Sequence, residues 1–146
     1  MMNKNIEIAL PSMKAQRKMI LEKDTETSIS TLKSNLLGVE FPKADGVNYA
    51  AIDARIYLTV DEGWVAPEHE LVNAWFNQVK DNFSDYRTDA KLGNLLGLHG
   101  GGADRRIRAY RNGDETIPYG IWRRFLELTG RVVPDIKPVL GVFDME

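Results

Sequence analysis

The chain has no cysteine among its 146 residues. That excludes disulfides, thiolate metal sites and cysteine nucleophiles, and it fits a reducing cytoplasm. It has only two histidines, His69 and His99, too few for an all-histidine metal triad. Glu68 and Glu70 stand next to His69 rather than at the i,i+4 spacing of a helical zinc site. Nowhere do about 18 apolar residues run together, as a membrane-spanning helix requires. The apolar stretch Ile6 to Leu10 is interrupted by Glu7 and stopped by Pro11, which is too short and too polar for a signal peptide. Ser12, Ser28, Ser30, Ser34 and Ser84 have no evident base or nucleophile elbow. The segment GLHGGGAD lacks both the lysine and the preceding strand of a phosphate-binding loop. No catalytic residue, cofactor or metal is therefore expected, and the chain reads as non-enzymatic.

What is present supports a packed fold: 43% of residues are apolar and 27% charged, so a core can form and wholesale disorder is not expected. The formal net charge of −2 hides a division, because residues 87 to 131 carry nine Lys/Arg against five Asp/Glu, a local +4. The remainder is acidic. A phosphate responds to the local field rather than to the total.

Periodicity predicts helices through most of the chain. Residues 11 to 38 hold one or two, opened by Pro11 or Ser12, with Thr25 or Thr27 able to cap a second and Ile29, Leu32, Leu36 and Leu37 along one stripe. Residues 39 to 47, with Pro42 and Gly46, read as a loop. Residues 48 to 60 fit either period, and the β-branched and aromatic content of IYLTV predicts a short strand near 54–60. From Pro67 the pattern is cleaner. Leu71, Val72, Trp75, Phe76 and Val79 form one apolar face. Thr88 caps a second helix carrying Leu92, Leu95 and Leu96 to Gly97. After the turn HGGG a third helix runs from about Ala103 to Asn112 and stops at Gly113. Thr116 and Pro118 open a fourth with Ile121, Trp122, Phe125 and Leu126 on its apolar face, ending by Gly130. Beyond Val132 the chain reads as extended, and Val139, Leu140, Val142 and Phe143 predict docking on the domain or on a partner. Trp75 and Trp122 belong with a core; Trp64, beside Gly63, is the one tryptophan placed for an interface.

The sharpest segment is ADRRIRAYRNG, residues 103 to 113. Ile107 and Tyr110, three apart, face a core, which leaves Arg105, Arg106, Arg108 and Arg111 on the remaining surface. Guanidinium groups crowded on a short helix are relieved by anions, and arginine holds phosphate bidentately or reads guanine O6 and N7. Arg87, Lys91, Arg123 and Arg124 can add flanking phosphate contacts. The competing reading is a solvated basic face paired with Asp104, Asp114, Glu115 and Glu127.

LGNLLGL, the glycine turn, RRIRAYRNG and ETIP together resemble the lambda-repressor-like, or Xre-type, helix-turn-helix of phage and mobile-element regulators, over residues 67 to 130. In that family a Thr–Gln pair opens the second helix, and a Leu–Ala pair and a Leu–Gly stop follow. Thr88 matches the cap, Leu92 and Gly93 the pair, and Leu96 and Gly97 the stop. Ile107 matches the apolar position of the recognition helix, Tyr110 its aromatic plug and Gly113 its terminal glycine. The resemblance implies that Arg105, Arg106 and Arg108 approach bases or groove, and that Lys91, Arg111, Arg123 and Arg124 contact backbone phosphates. The chain departs from the pattern at Asp89, where a Gln would touch phosphate and a carboxylate repels it unless paired. Arg111 replaces a Glu, and the turn HGGG is longer than usual, its amides open to a phosphate.

The expected architecture is mainly α. A compact helix-turn-helix domain (65–131) follows an N-terminal helical or α+β extension (1–64) and precedes an extended tail (132–146). The expected function is sequence-specific binding of double-stranded DNA as a homodimer, since one short helix spans only a few base pairs. This implies transcriptional regulation in a phage or mobile element, with no membrane involvement. The alternative is a protein-binding inhibitor or adaptor aimed at a host complex, with the arginine helix gripping an acidic protein surface.

Overall fold

Among the described residues the regular structure is five α-helices and three 3₁₀ turns, with no strand. The structure, a computed structural model, describes residues 8–145, so part of the Ile6–Leu10 stretch lies outside it. The chain divides into two units, Met1–Val39 with Asp135–Glu146 and Glu40–Pro134.

The first unit contains α1 (Met13–Asn35), capped by Ser12, whose hydroxyl accepts from the Ala15 amide at 3.1 Å. One helix runs where the sequence allowed two. Thr25 donates to the Leu21 carbonyl at 2.7 Å, Ser28 to Asp24 at 2.9 Å and Thr31 to Thr27 at 3.1 Å. These hydroxyls are satisfied inside the helix, so Thr25 does not open a new one. No residue of α1 is buried. The described residues from Asp135 are without regular structure, and Val139, Leu140, Val142 and Phe143 are exposed. Lys14 meets Asp144 at 3.4 Å within this unit. No helix among the described residues is long and apolar enough to cross a membrane.

The second unit begins at Glu40, well before the expected boundary at residue 65, because residues 44–64 supply part of its core. The strand expected near 54–60 is instead a 3₁₀ turn, Ala54–Tyr57. Asp53 caps it by accepting from the Arg55 amide at 3.0 Å, and Ile56 is buried. With no neighbouring strand, the β-branched residues had no ladder to join, and burial of one side chain decided the conformation. A second 3₁₀ turn, Tyr49–Ala51, precedes it.

Four helices follow: α2 (His69–Asn82), α3 (Asp89–Leu95), α4 (Ala103–Asn112) and α5 (Tyr119–Leu128). Their apolar faces meet in one core built from Val72, Trp75, Phe76 and Val79 of α2, Leu92 of α3, Ile107 and Tyr110 of α4, and Trp122, Phe125 and Leu126 of α5. Trp75 and Trp122 stack with centroids 5.7 Å apart and planes 2° from parallel, and Phe76 meets Phe125 edge-on at 4.9 Å. Trp122 donates from Nε1 to the Ile56 carbonyl at 3.1 Å, which ties the 3₁₀ turn to α5. Trp64 is half-buried, edge-on to Tyr119 at 5.2 Å.

Candidate nucleic-acid interface

The α3–α4 pair is set by local chemistry that the sequence announces. The Thr88 hydroxyl accepts from the Lys91 amide at 3.2 Å, opening α3. At its end the Leu98 amide donates to Gly93 O at 2.8 Å and the Gly97 amide to Asn94 O at 3.1 Å. Gly97 takes φ 92°. That is a Schellman stop, and Leu98 is buried beyond it as the motif's apolar contact. Gly93 lets the helices close. A Cβ there would lie 3.2 Å from Ala103 Cβ and from Ile107 Cγ1. The turn from His99 to Gly101 is exposed, and the Ala103 amide is already directed at Gly100 O, at 3.4 Å. Gly113 ends α4 at φ 82°. His69 lies against it, with Nδ1 3.3 Å from the Arg111 carbonyl and Nε2 3.1 Å from Glu70. His69 thus packs at a helix end, and His99 sits exposed in the turn.

The four arginines of α4 separate into distinct roles. Arg111 turns inward, donating from Nε to Asn73 at 2.9 Å, from Nη1 to both Asp89 oxygens at 2.8 and 2.9 Å, and from Nη2 to Asn77 at 3.0 Å. Its side chain is only 19% exposed. This corrects its expected role as a phosphate contact, since its donors are already directed to α2 and α3. The same network answers the repulsion expected of Asp89, whose carboxylate also receives Lys80 at 2.9 Å and is 14% exposed. Arg108 is exposed and bonded to Asp104, one turn back, at 2.8 Å. Arg105 and Arg106 are exposed, and their side chains form no hydrogen bond or ion pair among the described residues.

The flanking cations divide in the same way. Arg123 is another correction. It donates to the Tyr57 and Val133 carbonyls at 3.0 and 3.3 Å and lies 3.6 Å from Glu127, with 12% of its side chain exposed. It braces α5 rather than facing a ligand. Arg124 is exposed and fixed by its Nε to Leu95 O at 2.8 Å. Lys91 and Arg87 are exposed. Arg131 lies over Trp75, its Cζ 3.8 Å from the ring centroid, and donates to Gln78 at 2.8 Å; burial pulls its pKa below the usual arginine value. Elsewhere Asp53 is held at about 2, mainly by its side-chain hydrogen bond from Arg55. The basic segment's exposed cations without a side-chain partner among the described residues are therefore Arg105 and Arg106 on α4, with Arg87 and Lys91 flanking them.

One polar residue of this surface escaped the sequence reading. With Ala103, Ile107 and Tyr110 buried, Asn112 falls on the outer side of α4, four residues from Arg108 and seven from Arg105. The helical spacing that singled out the arginines would have found it. Comparison with protein-family models, with curated proteins and with solved structures finds no match for this chain.

Proposed function

We propose that this chain is a sequence-specific double-stranded DNA-binding protein of the Xre-like helix-turn-helix type. It acts in the cytoplasm as a homodimeric transcriptional regulator, in its simplest form a repressor, of a phage or plasmid. The observation that carries this reading is the state of α4. Its inner side is fixed by three buried residues and by Arg111, while Arg105 and Arg106 stand exposed without acidic partners. A rigid ten-residue helix with free guanidiniums on its solvent side matches what a major groove accepts in width and in chemistry. In this reading Arg105, Arg106 and Arg108 enter the groove, Lys91 and Arg124 reach phosphates, and Arg111 and Arg123 hold the scaffold. Dimerisation places two such helices on half-sites one turn apart.

A salt titration tests it, using the full chain, a duplex carrying the gene's upstream region, a scrambled duplex, and Arg106→Ala/Arg108→Ala. Specific recognition gives preference for the native duplex, at least roughly tenfold loss in the double variant, and affinity that falls as salt rises. Equal weak affinity for both duplexes leaves only non-specific contact. No binding near ~0.1 M salt rejects the regulator in its simple form. Protein binding is the second reading, favoured by one observation: α1 buries none of its residues, and Val139, Leu140, Val142 and Phe143 of the same unit are exposed. A complex with a host protein that survives nuclease treatment would support it.

A further inference from the structure

We propose that α4 reads two kinds of base, with Asn112 selecting an adenine near guanines read by Arg105 and Arg108; the inference rests on the DNA-binding reading above. The buried residues Ala103, Ile107 and Tyr110 fix which side of α4 faces inward. Arg105, Arg108 and Asn112 then occur at i, i+3 and i+7 on the opposite side, and all are exposed. The Asn112 amide has no hydrogen-bond partner among the described residues. Of the five other asparagines of this unit three are engaged, Asn73 and Asn77 accepting from Arg111 and Asn82 donating to Gln78 O at 2.7 Å. Asn48 and Asn94 have no side-chain partner among the described residues either, but neither lies on α4. Nor does capping explain an asparagine here. It is a mediocre helix former that usually earns a place at a helix end by adopting the left-handed conformation, and in this chain Gly113 takes that conformation, at φ 82°.

The chemistry of the row is selective. A carboxamide oxygen accepts from adenine N6 while its NH₂ donates to N7, and a guanidinium fork donates to guanine O6 and N7. Asp104 is a positioning residue: its bond to Arg108 Nη2 at 2.8 Å restricts that side chain and leaves the second Nη2 N–H to complete a fork with the neighbouring nitrogen. The spacing sets the register. Arg108 and Asn112 are separated by about 6 Å along the helix axis, and Arg105 and Asn112 by about 10.5 Å. At about 3.4 Å per step, a helix lying along the groove places the adenine roughly two base pairs from one guanine and roughly three from the other.

The test is selection from a randomised duplex pool with the full-length wild type, Asn112→Ala and Asn112→Asp, each checked by circular dichroism for an unchanged melt. The expected result is a wild-type motif holding guanine and adenine at this separation. Asn112→Ala loses preference at the adenine alone and binds the selected duplex roughly 5- to 150-fold more weakly, the range for one bidentate base contact. Asn112→Asp shifts that position towards cytosine, whose N4 amine donates to a carboxylate. A wild-type motif that both variants reproduce unchanged overturns the role of Asn112 and leaves DNA binding standing. Failure of the wild type to enrich any motif overturns sequence-specific recognition itself, and this inference with it.

Discussion

α1 and α4 are helices held in place by opposite means. α1 is 23 residues long and buries none of them, while α4 is ten residues long and buries three. The long helix depends on local terms: the Ser12 cap, and Lys33 in the last turn, where it favours the carbonyl end of the dipole. The short one is below the length of about 12–15 residues at which a helix begins to persist alone in water. It owes its existence to Ile107 and Tyr110 in the core and to Arg111 bridging α2 and α3. Length is therefore a poor guide to rigidity, and a recognition surface belongs on the shorter helix because neighbours fix its orientation.

The largest effect expected is Trp122→Ala. It removes a ring stacked on Trp75 and strips the Ile56 carbonyl of its donor. The loss is about 3–5 kcal/mol, much of an ordinary domain's stability. Urea melts followed by tryptophan fluorescence report it cleanly, because Trp64, Trp75 and Trp122 all lie in the second unit. Next comes Arg111→Ala, which leaves Asp89 with Lys80 alone and deprives Asn73 and Asn77 of a donor, for a loss of about 2–3 kcal/mol. Arg111→Lys recovers only part, since an ammonium cannot span these partners as the planar fork does. Arg106→Ala, exposed on the same helix, shifts stability by less than about 0.5 kcal/mol. Equal losses at 106 and 111 would erase the division between an inner and an outer arginine.

Much of this was legible from residue types at fixed offsets. The Thr88 cap, the glycines at 97 and 113, and the apolar spacing of α2 and α5 are short-range signals, and they place the helices where the structure has them. The candidate surface was legible in the same way for Arg105, Arg106 and Arg108, because Ile107 and Tyr110 fix the inner face by spacing. What could not be read were partners distant in sequence. Arg111 finds Asn73 and Asn77, and Arg123 finds the Tyr57 carbonyl, so two apparent phosphate ligands are braces. Residues 54–57 failed for a related reason: their conformation follows from burying Ile56 and from the Trp122 contact, which no local window contains.

Glycines sharpen the comparison at smaller scale. Gly93→Ala sets a methyl 3.2 Å from Ala103 Cβ and Ile107 Cγ1, so these neighbours must give by a few tenths of an ångström, an overpacking cost of about 1–3 kcal/mol offset by up to about 1 kcal/mol of helix propensity. Gly101→Ala meets nothing within 4 Å and needs no left-handed backbone. It should leave stability unchanged or raise it by up to about 1 kcal/mol through the unfolded chain. Thermal melts of the two variants distinguish a glycine required by packing from one that merely lengthens a turn.

In α1 the usual ranking of substitutions inverts. Ser12→Ala removes the bond to the Ala15 amide and weakens the helix by about 1 kcal/mol. Leu21→Ala, at a side chain already 63% exposed, changes it by less than about 0.5 kcal/mol and slightly favours helix by propensity. Native-state hydrogen exchange by NMR, residue by residue over 13–35, is the measurement. Amides of α1 should exchange at least about 100-fold faster than those of Ile107 and Tyr110, because opening α1 exposes little apolar surface whereas opening α4 dismantles a core. Leu21→Ala should leave the α1 rates nearly unchanged and Ser12→Ala should raise them. The reverse order, or α1 amides as slow as those of α4, would mean that the long helix is covered by a partner in solution, and its contrast with α4 would dissolve.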